Sequence, residues 1–166
     1  MSSAQPSALT LEQIVASSGF IFSGKVTNVW SERDAATGFI VTYSTVAVDE
    51  NVRGANTSRF TFKQYGGTDK GLNVFVADMS YFTVGEEVVA FLYPLSKLGL
   101  TSPIGVAEGK WTVQRDPATG KKFVAGNMFS AKAQFSATAA KAPTTRMEYN
   151  EFLKLVRTLA ARERQP

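Results

Sequence analysis

The side chains that most often carry catalysis are missing from this chain. It has no histidine and no cysteine, so it lacks the commonest general base, the thiol nucleophile, and the imidazole and thiolate ligands of metal sites. What remains is carboxylate chemistry, serine–lysine chemistry or no catalysis. The composition therefore favours a protein that is not an enzyme, and it predicts neither a cofactor nor a metal site.

One segment has the spacing of a phosphate-binding loop. Residues 19–25 match the pattern G-x-x-x-x-G-K, but Val26 stands where a serine or threonine would bind magnesium. The residues between the two glycines, Phe-Ile-Phe-Ser, are typical of a strand, and no helix pattern follows them. We therefore interpret the segment as part of a strand and not as a nucleotide site.

Carboxylates occur in two close pairs, but neither pair has the arrangement of a catalytic acid and base. Glu86 and Glu87 are adjacent on a predicted strand, so their side chains face opposite sides. Glu148 and Glu151 share one face of a predicted helix, and that face is polar. Asp69 is the one acid in the glycine-rich residues 66–71, which leaves a calcium site short of ligands.

Basic and aromatic side chains offer a better candidate, a binding surface. Arg59, Lys63 and Tyr65 lie an even number of residues apart on one predicted strand and therefore share a face. Lys25 points outward on another predicted strand. A flexible loop is predicted at 66–71, directly after the strand that carries Arg59, Lys63 and Tyr65. This loop could fold around an anion or a partner, or it could be a mobile connection without a binding role. The candidate partner-binding surface consists of Lys25, Arg59, Lys63, Tyr65, Gly66, Gly67, Asp69 and Lys70.

These residues lie around one long predicted β-hairpin, residues 20–52. Its arms, 20–30 and 39–52, exceed the usual strand length of about 5–6 residues. Alternation places Phe22, Val26 and Trp30 on one face of the first arm. Long arms coil, and a coiled hairpin of this size commonly closes a small barrel.

Further elements complete a mainly β pattern of six to eight strands joined by hairpin turns. A capping box at Thr10 and Gln13 begins a short helix, and a second box at Thr145 and Glu148 begins a longer amphipathic helix. We therefore expect a small closed or partly open antiparallel barrel of OB-like type, with a short N-terminal helix and a C-terminal helix.

The chain divides into four predicted parts. Residues 1–9 form a disordered leader, and residues 10–129 form the OB-like barrel domain with its N-terminal helix. Residues 130–144 form a linker rich in alanine, serine and lysine, and residues 145–166 form an amphipathic helix packed on the barrel.

Charge and hydropathy bear on location and partners. Residues 111–166 carry a net charge of +6, whereas the whole chain carries +4 because the rest of it is slightly acidic. Such a basic segment could bind an acidic partner, nucleic acid or an anionic surface. A solvent-exposed helix and linker without a binding role is the simpler interpretation.

No apolar run approaches the ~18 residues of a membrane span. Residues 1–7 lack a signal-peptide pattern. We expect either a cytoplasmic protein or an exported one whose signal is not part of this sequence.

Several segments resemble a group of uncharacterised exported bacterial proteins: LTLEQIV at 9–15, FSGKVT at 22–27, VDENVRG at 48–54, VGEEV at 84–88 and GVAEGKWTV at 105–113. The layout also resembles the netrin-like, or tissue-inhibitor-of-metalloproteinases (TIMP-like), barrel. That family inhibits through an N-terminal cysteine that chelates zinc, and this chain has no cysteine. The resemblance therefore implies an extracytoplasmic (periplasmic or secreted) interaction domain and transfers no inhibitory residue.

Two functions are consistent with these patterns. The first is a non-enzymatic, exported bacterial binding module with a protein or cell-envelope partner. The alternative is a single-stranded nucleic-acid-binding OB-fold protein, which would present basic and aromatic residues on one barrel face. Most aromatic residues fall on the apolar side of the predicted strands and favour a core position: Phe20, Phe22, Phe60, Phe62 and Phe91.

Overall fold

A computed structural model describes residues 9–126 and 146–163. In these ranges helix α1 (Leu11–Ser17) precedes nine strands, and helix α2 (Tyr149–Glu163) follows them. The strands are β1 (Phe20–Arg33), β2 (Ile40–Arg53), β3 (Arg59–Tyr65), β4 (Gly67–Asp69), β5 (Leu72–Val74), β6 (Glu87–Leu92), β7 (Lys110–Arg115), β8 (Lys122–Ala125) and β9 (Arg146–Glu148). The mainly β fold with an N-terminal and a C-terminal helix is confirmed.

Seven strands form one antiparallel sheet in the order β3-β2-β1-β6-β7-β8-β9. Strand β1 pairs along most of its length with β2, and its first six residues also pair with β6. Strand β7 continues into β8 and β9, which extend the sheet at the edge opposite β3 instead of returning to it. The sheet therefore stays open in the described residues, and the predicted barrel is not confirmed.

Strand β3 is one edge of this sheet, and loops of the same chain bond to it. Three carbonyls of β3 accept hydrogen bonds from a threonine hydroxyl, a backbone amide and a tyrosine hydroxyl: Arg59 from Thr57, Lys63 from Thr101 and Tyr65 from Tyr81.

A bulge changes the side-chain pattern of β1. The ladder with β2 shifts between Val26 and Asn28, where Thr27 is an extra residue on β1. One extra residue reverses the alternation beyond it. Val29 therefore packs with Val26 against the apolar core, whereas Trp30 lies on the other face with 41% of its surface exposed. The prediction that Trp30 shares a face with Phe22 and Val26 is wrong.

Each face of the sheet carries an apolar cluster. On one face α1 and α2 cover a cluster in which the rings of Phe91, Trp111 and Phe152 contact one another and are fully buried. On the opposite face the rings of Phe22 and Phe62 join a second cluster with residues of β2 and β6. The sheet is thus buried on both sides along its centre.

Residues 66–71, predicted as a flexible loop, are structured. Strands β4 and β5 form a two-stranded hairpin, and the strand predicted at 72–77 ends at Val74. The turn residues Lys70 and Gly71 have φ angles of 47° and 85°, and positive φ at both central residues is the requirement of a type I′ turn.

Helix α2 begins later than predicted. Arg146–Glu148 pair with β8 as strand β9, and the helix starts at Tyr149. A carboxylate oxygen of Glu148 accepts a hydrogen bond from the amide of Glu151 at 2.9 Å, so Glu148 caps the helix from outside it. The prediction that Glu148 and Glu151 share a helix face is wrong, and Thr145 lies outside the described residues.

The predicted N-terminal capping box is confirmed, because Thr10 and Gln13 bond to each other's amides at 2.9 and 3.1 Å. Leu9, placed in the predicted leader, packs on the helix-covered cluster. The rest of that leader and the linker predicted at 130–144 lie outside the described residues. Among the described residues, neither α1 nor α2 has the length and hydropathy of a membrane-spanning helix.

Candidate partner-binding surface

Neither α1 nor α2, the two helices of the described ranges, covers one part of the sheet. It is the continuation of the face under α2, formed by the second half of β1 with β2 and β3. Residues paired across neighbouring strands face the same side, and the registers give three rows here: Lys25–Ala47–Arg59, Asn28–Thr45–Thr61 and Trp30–Tyr43–Lys63. We call these nine residues and Tyr65, which follows on the same side of β3, the outer face.

Four of the eight predicted surface residues lie together on this face. Lys25 and Arg59 occupy the same row and are exposed, with Ala47 between them. Tyr65 is 39% exposed and makes an edge-to-face contact with Phe39, their ring centroids 5.4 Å apart. Strand alternation alone predicts the face on which these residues lie. Lys25 precedes the bulge at Thr27 and the others lie on β3, so the extra residue does not change the face of any of them.

The aromatic centre of the outer face is a stacked pair that sequence reasoning missed. Trp30 and Tyr43 have ring centroids 5.0 Å apart and nearly parallel planes, at 7°. One side of the indole lies on Tyr43, and the side chain remains 41% exposed. Such a pair forms a flat apolar platform with a polar edge, as is common at interfaces. The bulge that turns Trp30 outward has no clear signal in the sequence.

Lys63 lies on the outer face, but its charge is already paired. Its ammonium is 3.1 Å from a carboxylate oxygen of Asp34, and both side chains are largely buried. Asp34 also accepts hydrogen bonds from Thr37 at 2.9 Å and from Tyr43 at 3.3 Å. These contacts hold the turn after β1 down on the sheet, so the role of Lys63 is structural.

The same cluster sets the ionisation of its members. The hydrogen bond from Thr37, followed by that from Lys63, lowers the pKa of Asp34 below its ordinary value. Burial, followed by the charge of Asp34, raises the pKa of Tyr43. At neutral pH Asp34 is therefore charged, and Tyr43 keeps the proton that it donates to Asp34.

The other four predicted residues do not join the outer face. A side chain at Gly67 would come within 2.5 Å of the hydroxyl oxygens of Ser31 and Thr42, which belong to the opposite face. Gly66 has a φ of 100° and donates to the carbonyl of Ile40. Asp69 forms an ion pair with Arg33 at 3.6 Å, and Lys70 lies in the turn of the β4–β5 hairpin. These residues pack the hairpin against β1 and β2.

The glycines of the G-x-x-x-x-G-K pattern are explained by packing. A Cβ atom at Gly24 would come within 2.1 Å of the carbonyl oxygen of Ala47, and one at Gly19 within 2.6 Å of the Pro94 Cα. Residues 20–33 are strand, which confirms that interpretation of the segment. Close backbone approach, and not a phosphate group, requires glycine here.

The adjacent glutamates take part in separate ion pairs. Glu86 lies 2.9 Å from the ammonium of Lys110, and Glu87 lies 3.0 Å from that of Lys122. Across residues 9–126 and 146–163, no three acidic side chains gather in a way that could hold a metal ion. Glu86 and Glu87 therefore have structural partners.

We compared the chain with protein-family models, with curated proteins and with solved structures, and none of them matches it.

Proposed function

We propose that this protein is a non-enzymatic binding module that recognises a protein or cell-envelope partner through its outer face. The observation that carries the proposal is the stack of the exposed Trp30 on Tyr43, on a part of the sheet that no helix of the described residues covers. Tryptophan, tyrosine and arginine are the residues most enriched at the energetic centres of interfaces, and Arg59 lies two rows from Trp30 on the same face.

Hydrogen bonds and an ion pair hold several side chains of the outer face in position. The hydroxyls of Thr45 and Thr61 lie 2.8 Å apart between the cationic row and the aromatic row. The contacts of Asp34 with Lys63 and Tyr43 fix the far end. A preorganised surface loses little side-chain entropy on binding, so a small aromatic platform can still contribute useful affinity.

An extracytoplasmic location belongs to this proposal, with a cytoplasmic one as its alternative. The resemblance of residues 9–125 to exported bacterial proteins supports it. The proposed relation to netrin-like, OB-type domains belongs to the same proposal, and the long β1–β2 hairpin, the third strand and the C-terminal helix are compatible with it. If the chain is related to those domains, β8 and β9 are strands added to the edge of the sheet beyond β7.

Binding of single-stranded nucleic acid is the second candidate, because aromatic and cationic side chains share the outer face. Bases stack on exposed aromatic rings, and cations neutralise phosphates. The charges give limited support, since Asp34 pairs with Lys63 and the acidic Glu32 is the next outward residue after Trp30 on β1. Two cations, Lys25 and Arg59, remain for phosphates on this face.

Crosslinking capture from the envelope fraction of the source organism tests the first candidate. The matched proteins are the wild type, the outer-face variants Trp30→Ser and Arg59→Gln, and the control Leu72→Ser, which changes an exposed apolar residue of the β4–β5 hairpin. We expect one partner to be captured by the wild type and the control and lost with both outer-face variants. Equal capture by all four proteins contradicts the proposal.

Fluorescence anisotropy with labelled oligonucleotides separates the two candidates. For the binding module we expect no specific oligonucleotide binding at low salt. For the nucleic-acid binder, affinity should fall steeply with salt and should be lost with Trp30→Ser. That second result would replace the proposed function with its alternative.

A further inference from the structure

A second surface lies where the β7–β8 hairpin meets the start of α2. It is a groove of about 460 Å³. Three cations of the hairpin line one side, Arg115, Lys121 and Lys122, and residues 148–150 at the start of α2 line the other. We call it the basic groove. It is separate from the outer face, which lies toward the opposite edge of the sheet.

The cations of this groove include an unfavourable pair. Arg115 and Lys122 are directly opposite each other in the register of β7 and β8. Like charges at opposed positions of an antiparallel ladder destabilise it. Lys122 has an acidic partner, Glu87, whereas no acidic side chain of the described residues pairs with Arg115. An anion bound beside Arg115 would therefore offset the repulsion between the two cations.

One of the three cations is held in place by neighbours. The Lys122 ammonium lies 3.0 Å from a carboxylate oxygen of Glu87 and 4.1 Å from the ring centroid of Tyr149. Arg115 and Lys121 have no acidic side chain at ion-pair distance in the described part of the chain. Arg115 donates a long hydrogen bond, 3.4 Å, to the carbonyl of Gly120, which leaves most of its donors available.

The acids near the groove already have partners. Glu148 accepts from the amide of Glu151 at the start of α2. Asp116 accepts from the amide of Ala118 within the hairpin turn. Glu87 is occupied by Lys122. Arg115 and Lys121 therefore have no ion-pair partner in the described residues and lie beside Lys122, whose position is fixed, while the side of the groove that faces them includes the acidic Glu148.

We propose that the basic groove binds a phosphate-class oxyanion. A tetrahedral phosphoryl group offers several oxygens, so it can accept hydrogen bonds from the planar Arg115 fork and from the ammonium groups of Lys121 and Lys122 together. Its charge would remove the repulsion between Arg115 and Lys122. A free phosphate ester and a phospholipid headgroup share this chemistry.

Calorimetric titration of the full chain with pyrophosphate at low salt measures this binding. The variants are Arg115→Gln and Lys121→Gln, and the control is Lys154→Gln, which removes a cation from a different groove along α2. We expect each groove variant to weaken binding by at least about tenfold, the loss of one charge-assisted contact. The control should bind like the wild type.

Thermal unfolding distinguishes ligand binding by Arg115 from a purely structural role of this residue. Without pyrophosphate, Arg115→Gln should be at least as stable as the wild type, because the like-charge pair is gone. With pyrophosphate the wild type should gain in melting temperature, and the variant should gain much less. Destabilisation of the unliganded variant would overturn the proposal.

Two further arms identify the source of the phosphoryl group. Binding of pyrophosphate assigns the groove to a soluble phosphate compound. Binding to phosphatidylglycerol vesicles but not to pyrophosphate assigns it to a lipid headgroup, provided that Arg115→Gln abolishes vesicle binding. Equal affinity for citrate and pyrophosphate, or an equal response of the wild type and the groove variants, overturns the assignment.

Discussion

The hydroxyl oxygens of Ser23 and Tyr149 lie 2.7 Å apart and join the first strand of the sheet to the first residue of the C-terminal helix. Ser23 is 1% exposed and Tyr149 is 6% exposed. Burial raises the pKa of Tyr149 and outweighs the opposing effect of this hydrogen bond, so the phenol is protonated at neutral pH. The contact is a neutral hydrogen bond that water cannot replace.

Removing either partner should leave the other buried without a hydrogen bond. We expect Tyr149→Phe and Ser23→Ala each to lower the free energy of unfolding by about 1–2 kcal/mol, and the double variant to lose less than the sum by about 1 kcal/mol. Urea unfolding of the four proteins measures this. Tyr65→Phe, which changes an exposed tyrosine, is the control, and strictly additive losses would contradict the coupling.

The hydrogen-bonded carboxylate of Asp34 should make stability depend on pH in the acid range. Its pKa is lower in the folded than in the unfolded chain, so its ionised form stabilises the fold above about pH 4, and this contribution is lost as the pH falls through the folded pKa. We expect the wild type to be more stable than Asp34→Asn at pH 7, with the difference shrinking at lower pH.

Urea unfolding between pH 7 and pH 3 follows this difference. Thr37→Ala removes the strongest of the hydrogen bonds that lower the Asp34 pKa, so it should reduce the pH dependence without removing the charge. A difference between wild type and Asp34→Asn that stays constant over this range would show that the carboxylate charge contributes nothing.

Local patterns in the sequence were enough for much of the fold. The Thr10 capping box, the long hairpin and the alternation in β3 depend on neighbouring residues, and each is present. The length of the hairpin was the basis for predicting a closed or partly open barrel, which is not confirmed. Whether a sheet closes depends on where β7 pairs, which is a contact between distant segments.

The site was only partly predictable for the same reason. Lys25, Arg59 and Tyr65 follow from alternation, whereas the outward position of Trp30 depends on the single extra residue Thr27. The pairing of Lys63 with Asp34 spans 29 positions, and no local pattern marks it. Binding surfaces that depend on bulges and long-range pairs need the three-dimensional structure.

Gly24 should tolerate no side chain. A Cβ atom there would meet the Ala47 carbonyl oxygen at 2.1 Å, so Gly24→Ala must push two paired strands apart, at a cost of about 2–3 kcal/mol. Gly38→Ala is the control, because its Cβ meets nothing within 4 Å and its φ of 78° costs about 1 kcal/mol. Equal melting temperatures for the two variants would contradict this explanation.

Lys70 occupies a backbone conformation that suits asparagine better. With φ of 47° at Lys70 and a glycine after it, Lys70→Asn creates the Asn-Gly pair preferred in type I′ turns. We expect a gain of about 0.5 kcal/mol from the reduced strain. Thermal unfolding compares it with Lys97→Asn, an exposed lysine without positive φ; a loss of stability in Lys70→Asn alone would refute the turn assignment.

The hydrogen bonds along β3 affect how this protein meets other copies of itself. An edge strand with free carbonyls is a template for a further strand and so for aggregation. Here the carbonyls of Arg59, Lys63 and Tyr65 are occupied by Thr57, Thr101 and Tyr81. An incoming strand would have to displace all three bonds, so the chain can expose aromatic rings on the outer face while its adjacent edge resists strand addition.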